Sequence, residues 1–152
     1  METNERNKEM QDSLQDLLQK NYDAEKGFKQ VMEKAENSQL KSWMQKQATQ
    51  RSQFANEIDG ELRKLNVEPK ESGSTAGSAH RVWIDVKTAL SFDKDESILE
   101  ECIRGEKASV SEYEETLNKS FFSPGVKSML TEQKNKVQNS LSAVKRLEDL
   151  VD

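Results

Sequence analysis

Two glutamates occupy positions on apolar helical stripes where leucine would be expected. They are Glu25 and Glu106, and each is followed directly by a lysine. A carboxylate on a buried helix face needs a metal, a proton or a cationic partner, because burying it without compensation costs several kcal/mol. The two positions therefore mark either a functional site or an internal ion pair.

A cationic partner is available on the second predicted helix. Arg51 lies on its inward stripe, at about the same distance from the first interhelical turn as Glu25. Because an antiparallel helix hairpin brings such positions level, the guanidinium could neutralise one or both carboxylates. We expect an internal ion pair of Glu25, Arg51 and Glu106 that fixes the register of the helices. The alternatives are a metal site and a stripe loose enough to leave the glutamates hydrated.

Apolar residues recur at helical spacing in four stretches of the chain. The predicted helices span residues 7–35, 38–65, 93–119 and 124 to the C-terminus. Asn37 can cap the second helix, and the pair Ser123-Pro124 is typical of a helix start. Two or three residues join the first two helices, so these must lie antiparallel.

A long connection separates the second and third helices. Residues 66–79 contain a proline, glycines and serines, which indicates a loop inside one domain. A short helix is predicted from Ala76 to Ser91, and Asp93 with Glu96 forms a predicted capping box. A connection of this length can travel along the whole bundle. The third helix would then start at the same end as the second, which is the one-crossover topology of ferritin-like bundles.

Composition agrees with one all-α domain. The chain has 152 residues, of which 34% are charged and 33% hydrophobic, and its net charge is −5. We predict a single domain over residues 1–152, with residues 1–6 frayed. Basic residues form no continuous stripe and no segment has the roughly 20 apolar residues of a membrane span, so neither nucleic acid nor membrane is an expected partner. The single cysteine, Cys102, and a polar N-terminus favour a cytoplasmic location.

Four segments of the chain carry a resemblance to known proteins. They are Asp23-x-Glu25-Lys26-Gly27-Phe28, Arg51-x-x-Phe54, Gly73-Ser74 to Gly77-x-x-His80-Arg81-x-Trp83, and Leu99-Glu100-Glu101-Cys102-x-Arg104-Gly105-Glu106. From about Leu14 to Leu147 the sequence resembles a family of uncharacterised bacterial four-helix-bundle proteins, a domain of unknown function grouped with the ferritin-like superfamily. The resemblance implies a ferritin-like fold and no established activity.

The ferritin-like comparison also implies where a di-metal site would stand. Such a site takes one glutamate from each of two helices and a Glu-x-x-His pair from each of the other two. Glu25 and Glu106 resemble the single glutamates, but the matching positions on helices two and four contain no histidine. Gln50, Gln53 and Gln138 would have to supply amide oxygens, which attract iron or manganese less than carboxylates do. We therefore expect a degenerate site and no cofactor.

The only histidine lies in the connection. His80, with Arg81 and Trp83, could form a small anion or ligand site near the start of the short helix, where unpaired backbone N–H groups collect. The alternative is that Trp83 packs on the bundle while His80 makes a capping or surface hydrogen bond.

Two classes of function remain open. The favoured one is a non-enzymatic bundle, a stress-associated or assembly protein that acts through its surface, with a protein partner or as a homo-oligomer. The mixed surface charge and the missing metal ligands support it, and no nucleotide, phosphate-loop or nucleophile motif appears in the sequence. The other is a metal-binding or redox protein of the ferritin-like type that uses Glu25 and Glu106 with unusual ligands.

Overall fold

Four α-helices make up the described part of the chain. The computed structural model describes residues 3–70, 91, 94–119 and 121–150. Helix α1 spans Thr3–Met32, α2 spans Ser38–Lys64, α3 spans Asp95–Lys119 and α4 spans Pro124–Ala143. A 3-10 turn follows at Leu147–Asp149, and these described residues contain no strand. The prediction of an all-α, four-helix protein is confirmed.

Both ends of α2 are capped by hydrogen bonds. The side chain of Asn37 accepts hydrogen bonds from the backbone N–H groups of Gln39 (2.8 Å) and Leu40 (2.9 Å), which confirms the predicted N-cap. At the other end, Asn66 adopts a positive φ of 61°. The N–H of Val67 then bonds to the carbonyl of Leu62, a closing pattern that left-handed glycine or asparagine supplies.

Contacts between helices give their relative directions. The rings of Phe28 on α1 and Trp43 on α2 meet edge to face, with centroids 5.9 Å apart, as in an antiparallel hairpin. Helix α3 runs parallel to α2, because Met44 contacts Cys102 and, further along both helices, Arg51 contacts Glu106. The start of α3 therefore lies beside the α1–α2 turn. The carboxylate of Asp95 accepts hydrogen bonds from the backbone N–H groups of Glu36 and Asn37 there.

Several predictions about the connection lie outside the described residues. These are the short helix from 76 to 91 apart from its last residue, which lies in a turn, most of the loop at 66–79, and Asp93 of the predicted capping box. The carboxylate of Glu96, the other member of that box, accepts a long hydrogen bond (3.4 Å) from the backbone N–H of Leu147.

Helix α4 is shorter than predicted. It ends at Ala143, and Val144 adopts an extended conformation with φ −127° and ψ 114°. The carboxylate of Asp149 accepts hydrogen bonds from the backbone N–H groups of Lys145 (2.9 Å) and Arg146 (3.2 Å). Because the Asp149 side chain binds these amides, the chain leaves the helix, and the prediction of a helix continuing to the C-terminus is wrong.

The core is divided along the bundle. Near the α1–α2 turn, one apolar cluster includes Phe28, Met44 and Leu99. Toward the opposite end, another includes Leu14 and Leu62. Between them lies the group of buried polar side chains described next. Among the described residues, no helix is long and apolar enough to cross a membrane.

Candidate functional site: a buried polar layer

Arg51 carries a positive charge into the middle of the bundle. Its side chain is only 1% exposed, because its position on α2 points inward between buried Ala48 and Ala55. The guanidinium donates one hydrogen bond from Nη2 to Oε1 of Glu106 at 2.5 Å and another from Nη1 to Oδ1 of Asn21 at 2.9 Å. One cation from α2 thus links α1 and α3.

Glu106 is as deeply buried as the arginine that binds it. Its side chain is 1% exposed and lies on α3, one heptad from Leu99 and one from Tyr113. A charge-assisted bond between two desolvated groups is strong, yet taking both charges out of water cancels much of its gain. The pair therefore defines how the helices fit together more than it raises net stability.

Neutral polar side chains extend this pair across the bundle. Asn21 Nδ2 donates to the backbone carbonyl of Leu17 and to the Tyr113 hydroxyl, both at 2.9 Å. That hydroxyl donates in turn to Oε1 of Gln133 at 2.6 Å. Each of the four helices contributes to this group, which we call the polar layer. The polar layer consists of Asn21, Arg51, Glu106, Tyr113 and Gln133.

The hydrogen bonds of the polar layer lead to the surface. Gln133 Nε2 donates to Oε1 of Glu57 at 3.0 Å, and Glu57 is an exposed residue of α2. Donors and acceptors therefore connect a buried carboxylate, Glu106, to an exposed one. The side-chain amides of Asn21 and Gln133 in this path each have a nitrogen that only donates and an oxygen that only accepts. The path therefore positions side chains and does not relay protons.

Burial fixes the protonation of the tyrosine in the polar layer. Desolvation raises the pKa of Tyr113 to about 12, and the nearby charge of Arg51 and the hydrogen bond from Asn21 only partly offset it. The phenol is therefore neutral at physiological pH. A neutral hydroxyl can accept from Asn21 and donate to Gln133 at the same time, as the structure requires.

Glu25 does not join the polar layer, contrary to the predicted three-residue ion pair. Its carboxylate binds Lys29 Nζ at 2.9 Å, one turn along α1, and its side chain is 18% exposed. The buried neighbours Ala24 and Phe28 point into the core instead. Inward positions on α1 recur at seven-residue steps through Asn21 and Phe28, which places Glu25 at the edge of the stripe.

The amides proposed as weak metal ligands do not gather around Glu106. Gln53 and Gln138 are exposed, and Gln138 lines a surface groove between α3 and α4 with Lys107 and Leu141. Gln50 is half-buried on α2. In the described ranges, no three His, Cys, Asp or Glu residues cluster in a way that could hold a metal ion.

A di-iron centre does not fit the polar layer for an electrostatic reason. The guanidinium of Arg51 already bonds the Glu106 carboxylate, and a fixed positive charge there repels a second cation. Glu25, the other predicted ligand, is bound to Lys29 at the edge of the bundle. His80, Arg81 and Trp83, predicted as a surface ligand site, lie outside the described residues.

Cys102 is a second buried group near the polar layer. Its thiol lies one turn before Glu106 on α3, with Sγ 3.9 Å from the sulfur of Met44. Burial raises the pKa of the Cys102 thiol well above its ordinary value, and the charges of Glu106 and Glu101 add to the shift. A thiol held protonated in this way is a poor nucleophile.

The sequence predicted Arg51 and Glu106 as partners, but it did not predict the hydrogen bonds of the other three residues of the polar layer. In the sequence, Asn21 and Gln133 are polar residues at helical spacing among apolar ones, and this pattern was the available signal. Their partners lie across the bundle, 92 and 20 residues from them in the chain.

Comparison with protein families finds a match over most of the chain. A family model described as Domain of unknown function (DUF2383) matches residues 9–119. This range contains most of α1, all of α2 and α3, and four of the five residues of the polar layer. No curated protein matches the chain.

Proposed function

The chain belongs to the family described as Domain of unknown function (DUF2383), and from its polar layer we propose that it is a non-catalytic, ferritin-like bundle. In this proposal the protein acts through its surface, as an interaction or assembly protein. The arginine of the polar layer replaces the metal ions of a ferritin-like centre. The observation that carries the proposal is the guanidinium of Arg51 bonded to Glu106 in the core.

The directions of the helices support the ferritin-like part of the proposal. Helices α1 and α2 are antiparallel, while α2 and α3 are parallel. Two parallel helices that follow one another need a connection that returns along the bundle, which is the single crossover of ferritin-like folds. About thirty residues lie between α2 and α3, enough for such a crossover.

The chemistry of the centre supports the non-catalytic part. The described polar residues that reach the core offer a neutral phenol, a protonated thiol, aliphatic hydroxyls, amides, and one carboxylate bonded to a guanidinium. Nucleophilic and acid–base catalysis need a group with a pKa near the working pH, and burial moves Tyr113 and Cys102 away from it. In this proposal the exposed faces of the helices carry the function.

Elemental analysis tests the proposal directly. The protein is purified without chelator, and iron, manganese and zinc are measured per chain before and after incubation with each metal. We expect much less than one equivalent of each. One or two bound equivalents, lost in Glu106→Gln but kept in the surface variant Glu132→Gln, would overturn the proposal in favour of a metal-binding bundle.

Light scattering tests the assembly part. The mass of the purified protein is measured over a hundredfold range of concentration. A mass that rises to a defined multiple of 17.4 kDa supports assembly of copies of this chain. A constant monomer mass contradicts self-assembly and restricts the proposal to interaction with other proteins.

A further inference from the structure

A groove on the surface of the bundle lies between the first turns of α2 and the chain that follows α4. Helix α4 ends at Ala143, and the chain leaves the helix at the extended Val144. The groove has a volume of about 500 Å³, within the roughly 300–1,000 Å³ of pockets that bind small molecules. We call it the Trp43 groove, and its lining includes Trp43 and Lys46 of α2 and Val144, Asp149 and Leu150 of the C-terminal segment.

The floor of the Trp43 groove is apolar and already in place. Trp43 and Leu150 are each 7% exposed and Val144 is 8% exposed, so only one side of each faces the groove. All three belong to the apolar cluster near the α1–α2 turn, where the Phe28 ring packs against Trp43. A ligand can therefore bury apolar surface there without rearranging the core, which keeps the cost of binding low.

The α2 wall of the groove offers hydrogen-bond donors and a positive charge. Its residues are spaced by three and four positions, so they share one face of the helix: Gln39, Ser42, Trp43 and Lys46. Lys46 is exposed and forms no ion pair with any described residue. The indole N–H of Trp43 donates to no described group, although the residue is almost buried. Both groups donate only, so they select a ligand that accepts.

The opposite wall carries a carboxylate that is already bound. Asp149 Oδ2 accepts hydrogen bonds from two backbone N–H groups of its own segment. These bonds compensate its charge and hold it on the C-terminal side of the groove. The ammonium of Lys46, on the α2 side, remains available to a ligand.

We propose that the Trp43 groove binds a small organic monocarboxylate with an aliphatic body, of the medium-chain fatty-acid class. The aliphatic body covers Trp43, Val144 and Leu150. The carboxylate accepts from the indole N–H and pairs with Lys46, three residues further along the same helix face. The site lies outside the polar layer, and ligand binding there is independent of the proposed function.

Tryptophan fluorescence tests the site, because Trp43 lines it. In the full chain carrying Trp83→Phe, Trp43 is the remaining tryptophan, and its emission is followed while octanoate is added. We expect a saturable change. Octylamine, which has the same alkyl chain and the opposite charge, should bind about tenfold more weakly or less. Calorimetric titration of the unsubstituted protein should give one octanoate per chain.

Two lysine variants identify the charge that the ligand meets. Lys46→Gln should weaken octanoate binding about three- to fivefold, which is the size of an exposed ion pair. Lys41→Gln is the matched control, because it removes an exposed lysine of the same helix that does not line the groove. It should leave the affinity unchanged. Both residues are exposed, so neither substitution should alter the melting temperature.

Several results would overturn the proposal. Equal affinity for octanoate and octylamine, or equal weakening in both lysine variants, would show non-specific adsorption. Absence of saturation below the concentration at which octanoate forms micelles would reject the site. In nuclear magnetic resonance spectra we expect Overhauser contacts between the octanoate chain and the Trp43 ring, and contacts elsewhere in their place would contradict it.

Discussion

Replacing Arg51 with methionine should destabilise the protein strongly. Methionine keeps much of the aliphatic volume but leaves the Glu106 carboxylate buried without its cation. Both side chains are 1% exposed, so water cannot take the place of the guanidinium without opening the core. Removing one partner of a buried ion pair costs about 3–5 kcal/mol, and the unpaired Asn21 oxygen adds about 1 kcal/mol.

The size of this loss is large for one domain. Native proteins are stable by about 5–15 kcal/mol, so the variant would lose a third or more of a typical value. For a domain of this length the melting temperature should fall by roughly 2–4 °C per kcal/mol, so a loss of about 4–6 kcal/mol lowers it by about 8–24 °C. Urea unfolding followed by circular dichroism measures the free energy, and an unchanged slope shows that the folded state stays compact.

Rescue by a second substitution identifies the partner. Glu106→Gln removes the uncompensated charge, so it should recover about 2 kcal/mol or more in the Arg51→Met background. Glu25→Gln is the matched control and should recover nothing, because Glu25 binds Lys29 near the surface. Equal rescue by both substitutions, or a loss below about 1 kcal/mol in Arg51→Met, would refute the reasoning.

Two further predictions follow from the buried ionisable groups. The folded protein holds the Tyr113 proton up to a pKa of about 12, whereas the unfolded chain releases it near 10. Stability should therefore fall by about 2–3 kcal/mol as pH rises from 10 to 12, and Tyr113→Phe should lack this part of the loss in urea titrations. The raised pKa and burial of Cys102 predict that Ellman's reagent labels the folded protein only at the rate of its opening, while urea-unfolded protein reacts at once. Fast stoichiometric labelling of the folded protein would contradict the burial.

Much of the fold could be predicted because local rules determine it. Helical spacing of apolar residues located α1 to α4, and Asn37 and the pair Ser123-Pro124 marked two helix starts. The end of α4 could not be found this way. Leu147 and Leu150 continue the helical spacing, but the carboxylate of Asp149 binds backbone amides that a longer helix would use.

The polar layer was only partly predictable because it depends on helix rotation. A change of one residue turns a side chain by about 100° around the axis, so Glu25 and Ala24 compete for the inward position. Spacing alone placed Glu25 on the stripe, whereas in the structure Ala24 is the buried residue. The links of Asn21 to Tyr113 and of Tyr113 to Gln133 need the relative rotation and register of three helices, which no single helix pattern contains.

The polar layer can specify register where the apolar stripes cannot. Sliding α3 by one heptad along α2 would bring Glu106 level with Met44 or Ile58, both fully buried. The apolar clusters would still find apolar partners after such a shift. An unpaired buried carboxylate would then cost about 3–5 kcal/mol, and Arg51 would lose its partner as well. The ion pair thus disfavours these shifted arrangements relative to the native one, even though it contributes little net stability to the native state itself.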